Sequence, residues 1–123
     1  MIFIKDQKNG PYFQAGDHSL LCELLHPDRE ETPLEMGFSL AQAIVKPGRG
    51  TQPHKLKTST EIFYILQGEG VIHIEQESAP VSRGQVVYIS PDARQFIRNT
   101  GQSDLIFLCL VYPPWKKEDE VIY

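Results

Sequence analysis

Apolar positions along the chain fall in short runs, either alternating with polar residues or apolar at consecutive positions. No stretch longer than about ten residues keeps helical spacing without a Gly or Pro interruption. The pattern predicts an all-β protein with strands over residues 19–25, 38–46, 62–66, 71–75, 85–89, 96–98 and 105–112. Turn signals separate them: Pro47-Gly48, Gly68-Glu69-Gly70, Ser90-Pro91-Asp92 and Asn99-Thr100-Gly101. The run Leu105-Ile106-Phe107-Leu108-Cys109-Leu110-Val111 is apolar on both faces of a strand, so it must be covered twice. A two-layer sandwich or barrel covers one face with its own core. The other face is left for a second subunit or for the chain termini, which makes a two-fold homodimer the expected assembly.

With 123 residues, 41% of them hydrophobic, the chain makes one domain over 1–123, and its nine glycines and nine prolines serve as punctuation between short elements. Acidic residues outnumber basic ones by 16 to 12 and no Lys/Arg cluster forms a stripe, which argues against a nucleic-acid partner. Met1-Ile2-Phe3-Ile4 gives way at once to Lys5-Asp6, too short for a signal-peptide core or a membrane span, so a cytoplasmic protein with no membrane partner is expected. Cys22 and Cys109 form no Cys-x-x-Cys pair and read as reduced, buried thiols. The charged, proline-bounded stretch His26 to Glu35 reads as a solvated loop. The tail Trp115 to Tyr123 reads as a surface extension anchored by Trp115.

The chemistry concentrates between Gly48 and Gly68. His54 and Leu56 point to one side of an extended segment, and Glu61 opens the next strand with Phe63 and Ile65 on its face, bringing an imidazole and a carboxylate toward one apolar pocket. A second stretch, Gly84 to Asn99, repeats the design of glycine turn, apolar strand, proline turn and a polar residue, Gln95, opening a further strand. The other histidines read differently. His73, between Ile72 and Ile74, points outward; His18 sits in a turn, Gly16-Asp17-His18-Ser19; His26 ends a strand and is the one placed to approach a pocket rim or an interface. Tyr64 and Tyr88 read as core or interface residues. Arg94 and Arg98 could meet an anionic substrate at the barrel mouth or simply stand on an exposed face.

These two stretches resemble the cupin superfamily, whose members are small jelly-roll (double-stranded β-helix) barrels with two motifs that build one metal site. The first motif runs Gly48, five residues, His54, then Leu56, four residues, Glu61, six residues and Gly68, with Leu56 standing where the family has a second histidine. In the second motif Gly84 and Asn99 match, while Ser90, Asp92 and Gln95 replace the family's proline, glycine and histidine. The resemblance implies a divalent metal (Mn, Fe, Ni, Zn or Cu) held by three histidines and a glutamate. Here His54 and Glu61 remain, and Gln95 offers an amide oxygen, a weaker donor than imidazole.

Three functions are consistent with this reading, all on a small molecule bound in the barrel. One is a metal-dependent dioxygenase, lyase or isomerase with His54, Glu61 and Gln95 around the ion. The second is a metal-free enzyme similar to sugar-nucleotide epimerases, with His54 as catalytic base and Glu61 orienting it. The third is a module that binds a metabolite without turning it over.

Overall fold

The structure, a computed structural model, describes residues 1–8 and 10–123. The chain runs through β1 (Phe13–Gln14), β2 (Leu20–Leu25), β3 (Ser39–Val45), β4 (His54–Leu56), β5 (Thr60–Gln67), β6 (Glu69–Ile74), β7 (Glu77–Ser82), β8 (Val86–Ile89), β9 (Gln95–Asn99), β10 (Leu105–Tyr112) and β11 (Glu120–Ile122). A single helical turn, Lys117–Asp119, precedes β11. Two antiparallel sheets face each other, one in the order β1-β2-β3-β10-β5-β8 and the other β11-β4-β9-β6-β7. This is the two-layer arrangement expected from the strand pattern, in the jelly-roll form that the resemblance implies.

Alternation decides which side chains enter the space between the sheets. On β5, Phe63 and Ile65 point in; on β10, Leu105, Phe107 and Cys109; on β9, Ile97; on β8, Val87 and Ile89. Phe63 and Phe107 meet with ring centroids 4.6 Å apart. Ile72 is core and Ile74 packs against it, so His73 faces outward, where its ring stacks on Phe96 at 4.2 Å. The three motif glycines all take positive φ, +74° at Gly48, +87° at Gly68 and +88° at Gly84. At Gly68 a Cβ would also lie 2.7 Å from the Asp104 carbonyl oxygen, so the β5–β6 turn has room for no other residue.

Four strands fall outside the seven predicted. β7 carries Pro80 and is exposed along most of its length, an edge strand recognisable only by its pairing with β6. β1 and β4 are too short to show a period, and so is β11. β11 corrects the reading of the tail as a surface extension: it pairs with β4 through Glu120↔Leu56, Val121↔Lys55 and Ile122↔His54. The backbone groups of β4 would otherwise be an open sheet edge, and the tail closes it. Asp119 reinforces the closure by accepting hydrogen bonds from the Thr58 backbone N–H at 3.0 Å and hydroxyl at 2.8 Å.

The loop after β2 is not merely solvated. His26 is buried; its Nδ1 accepts from the Asp28 N–H at 3.2 Å, so Nε2 carries the proton and donates to the Trp115 carbonyl at 2.8 Å. His26 therefore pins the tail rather than lining a rim.

The outer face of the larger sheet is covered unevenly. The N-terminal segment lies over β2 and β3, with Phe3 and Lys5 near Leu24 and Leu25, and Tyr12 accepting a hydrogen bond from Gln42 at 2.6 Å. Over β5, β8 and β10 none of the described residues covers Tyr64, Leu66, Val86, Tyr88 and Tyr112, all exposed. The two tyrosines Tyr64 and Tyr88 are thus outer-face residues and not core.

The division between faces sets the cost of substitution. Ile65→Ala, at a position with no exposure, lowers the unfolding free energy by about 2–5 kcal/mol in urea titration, whereas Ser78→Thr on the exposed edge strand β7 changes it by less than about 0.5 kcal/mol.

Candidate functional site

At one end of the sandwich the apolar core opens into a cavity of about 120 Å³. β5 and β10 form its floor, β4 and β11 one wall, and the turn before β2 another. Phe63, Phe107, Val111 and Trp115 give it an apolar lining, into which Asp17, His54, Glu61 and Glu120 project.

His54 is 4% exposed. Its Nδ1–H donates to the Gln52 carbonyl at 2.8 Å, which fixes the tautomer and leaves the Nε2 lone pair free. Asp17 Oδ2 stands 3.8 Å from that nitrogen. Asp17 is itself held in place through Oδ1, which accepts from the Ser19 N–H at 3.0 Å and hydroxyl at 2.7 Å.

Glu61 reaches in from the opposite sheet. Its Oε1 accepts a hydrogen bond from Gln95 Nε2 at 2.6 Å, and Oε2 has no partner among the described residues. Burial pushes the carboxyl up to about 7, against the pull that a protonated His54 and the Gln95 hydrogen bond exert and with the help of Asp17 and Glu120. Glu120 is also raised, again chiefly by burial. The Cys109 thiol, in the same wall, is raised well above the usual thiol value by burial and by Glu61, so it stays protonated.

The residues singled out from sequence separate into two groups. His54 and Glu61 converge on the cavity, whereas Gln95 lies behind Glu61, off the cavity wall, and presents its nitrogen to the carboxylate. Arg94 stacks over the Tyr123 ring at 4.5 Å and Arg98 is exposed; neither lines the cavity. His18 occupies a turn with φ +73°, while its neighbour Asp17 is the residue that enters the site. Asp17, Glu120 and Trp115 were not visible from sequence as site residues. The one local signal was the Asp-x-Ser spacing of Asp17 and Ser19, which suits a side-chain-capped turn. A further fit is set by Gly16, where a Cβ would come within 2.6 Å of Ile122 Cδ1 and 3.6 Å of a Glu120 carboxylate oxygen.

A divalent metal in the manner the resemblance implies needs four donors on one centre. Among the described residues no group of three His, Cys, Asp or Glu side chains is arranged to hold an ion. Leu56 is buried beside His54 without a donor atom, and the Gln95 amide gives Glu61 its N–H instead of giving an ion its oxygen. The donor set present does not fit such a centre.

A family model for the cupin domain matches residues 41–111. Over 112 residues, 91% of this chain and 86% of the relative, the sequence is 42% identical to the uncharacterized protein MJ1618 of Methanocaldococcus jannaschii. Over 89 residues, 72% of this chain and 74% of the relative, it is 33% identical to an oxalate-binding protein of Thermotoga maritima. Among solved structures, the plu4264 protein of Photorhabdus luminescens superposes with a TM-score of 0.78 at 27% identity, covering 97% of this chain and 92% of that one. The Streptomyces nucleoside dehydratase Pac13 shares the fold, with a TM-score of 0.77 at 15% identity over 100% of this chain and 92% of that one. With the barrel, the two motifs and the family match in agreement, this chain belongs to the cupin family.

Proposed function

We propose that the cavity binds a small molecule and that His54 and Glu61 act on it as base and acid, with no ion held in the family's usual manner. The observation that carries this reading is the free Nε2 of His54: buried, unpartnered among the described residues, and facing the same cavity as a carboxyl raised to about 7. A lone pair fixed in this way can take a proton from a bound ligand. The imidazolium that forms keeps its Nδ1–H on the Gln52 carbonyl and gains the Asp17 carboxylate as a neighbour. Glu61, protonated in part near neutral pH, can donate through Oε2 to an oxygen of the ligand, with Gln95 orienting it from behind. The apolar lining keeps water from competing for either proton.

The same reading pairs two copies of the chain. Tyr64 and Val86 stand opposite each other on β5 and β8, next to Leu66, Tyr88 and Tyr112, on the part of the sheet that the N-terminal segment leaves bare. A second copy laid two-fold over this area would bury it. Cys22 and Cys109, both free and buried, suit the reducing cytoplasm in which the reading sets the protein.

Three outcomes are expected. For a ligand found by thermal-shift screening of polar metabolites, His54→Gln lowers the rate of proton exchange at the ligand, followed by NMR in deuterated buffer, by about 10²–10⁴-fold, and a chelator leaves the wild-type rate unchanged. Exchange that stops on chelation would contradict the reading.

Glu61 also leaves a mark on stability. Between the ordinary value of 4.5 and about 7 the native carboxyl keeps a proton that the unfolded chain has released. Stability from this group therefore falls as pH rises through that window and levels off above it. Urea unfolding of Glu61→Gln should show the variant gaining on the wild type from pH 5 to pH 8 by up to about 3 kcal/mol, and parallel curves would refute the raised carboxyl. In sedimentation velocity the wild type runs as a dimer at micromolar concentration and Tyr64→Glu with Val86→Glu runs as a monomer; a monomeric wild type would end the pairing proposal.

A further inference from the structure

The charges around the cavity do not balance. Four carboxylates line it, Asp17, Glu23, Glu61 and Glu120, against the guanidinium of Arg29 and the imidazole of His54. Arg29 is already spent: its Nη1 lies 2.8 Å from Glu23 Oε2, and the two neutralise each other at the rim. Asp17, Glu61 and Glu120 are left with His54 alone, and they sense one another, since Asp17 and Glu120 each push Glu61 up and Asp17 pushes Glu120 up. The excess of negative charge opens on an enclosed space. His54 and Glu61, 4% and 8% exposed, both line it, and neither His54 Nε2 nor Glu61 Oε2 has a hydrogen-bond partner among the described residues. Between these groups the wall is aromatic and aliphatic, with Phe13, Leu21, Phe63, Phe107 and Trp115.

We propose that the cavity selects a small molecule with an apolar body and one positive charge, such as an alkyl- or arylalkylamine, and turns away small dianions such as oxalate. The proposal rests on the reading of the cavity as a ligand site and adds the chemical class of the ligand. An ammonium set between Asp17 and Glu120 replaces the hydration it loses with carboxylate contacts, while its apolar body meets Phe63, Phe107 and Trp115 and the Glu61 carboxyl is left free to act as the acid. A carboxylate entering the same space loses its hydration and finds no unpaired guanidinium or ammonium among the described lining residues, because Arg29 is held by Glu23. Oxalate is the informative competitor, since a relative 33% identical over 72% of this chain is an oxalate-binding protein.

Four probes test the assignment on the full chain near neutral pH: benzylamine, benzyl alcohol and benzoate, which share one ring and differ in charge, and oxalate. Binding is read by titration calorimetry and by the fluorescence of Trp115, the chain's one tryptophan. Benzylamine should bind about tenfold or more tightly than benzyl alcohol, with benzoate and oxalate silent into the millimolar range. Asp17→Asn, which keeps the acceptor for Ser19, and Glu120→Gln should each shrink the advantage of the amine over the alcohol by about threefold or more. Benzoate or oxalate binding more tightly than benzylamine, equal affinity for amine and alcohol, or an advantage untouched by both substitutions would overturn the charge assignment and leave the ligand site standing. If none of the four probes binds, the amine assignment is overturned as well, and the ligand-site reading is decided separately by the thermal-shift screen.

Discussion

The hydrogen bond from Gln95 Nε2 to Glu61 Oε1, 2.6 Å long, crosses from one sheet to the other at the place where the packed core gives way to the cavity. Elsewhere, apart from Asn99 Nδ2 donating to the Val45 carbonyl at 2.9 Å, the sheets are held chiefly by interdigitated apolar side chains, which constrain neither the direction of a polar group nor its protonation. A carboxyl buried among Phe63, Phe107 and Cys109 would be expensive as an anion without a donor, and Gln95 supplies one. The bond turns Glu61 so that one oxygen is fixed and the other free, and it keeps the carboxyl from rising as far as burial alone would drive it. It has a price on the far side of the amide, where Gln95 Oε1 is buried with no partner among the described residues. A tolerated unsatisfied acceptor behind a site carboxyl is what would be expected if orientation of Glu61 mattered more than the last increment of stability.

The second constraint is topological. The cavity wall is assembled from segments far apart in the chain: the turn at Asp17, the short β4, and β11 near residue 120. Each is held by backbone pairing, with the Gln52 N–H donating to the Asp17 carbonyl at 2.6 Å and the Tyr123 N–H donating to Pro53 at 2.9 Å. His26 fixes the stretch leading into β11 through the Trp115 carbonyl. A site whose groups are positioned by main-chain ladders and a buried imidazole keeps its geometry without a ligand to organise it, which lowers the entropic cost of binding.

How far the sequence reveals this site depends on the range of the forces that build it. The doubly apolar run at 105–112 and the Gly48, Gly68 and Gly84 turns are local features, and each is found where the pattern placed it. His54 and Glu61 were legible because their spacing to those glycines is fixed within two adjacent strands. Gln95 was legible as a residue of the site region, but its role was inverted: which end of an amide faces a carboxylate is settled by the opposite sheet, and here the nitrogen does. Asp17 and Glu120 were not legible as site residues. Their neighbours in space are set by contacts such as Ile122↔His54, across more than sixty residues of chain, and the three-residue β11 is too short to announce itself by period. His26 shows the same limit from the other side, since a histidine at a strand end reads as a rim residue until its carbonyl partner on the tail is known.

Gly16 deserves a last consequence. It has no side chain at the one point where the tail strand passes closest to the turn carrying Asp17, with Ile122 Cδ1 within 2.6 Å of where a Cβ would sit. An alanine there would turn the exposed Ile122 side chain aside, and a longer side chain would also press on the Glu120 carboxylate oxygen 3.6 Å from the Cβ position. A substitution beside Asp17 would thus narrow the cavity on the side where Glu120 stands. The bare backbone at position 16 therefore sets how closely the tail's carboxylate approaches the turn that carries Asp17.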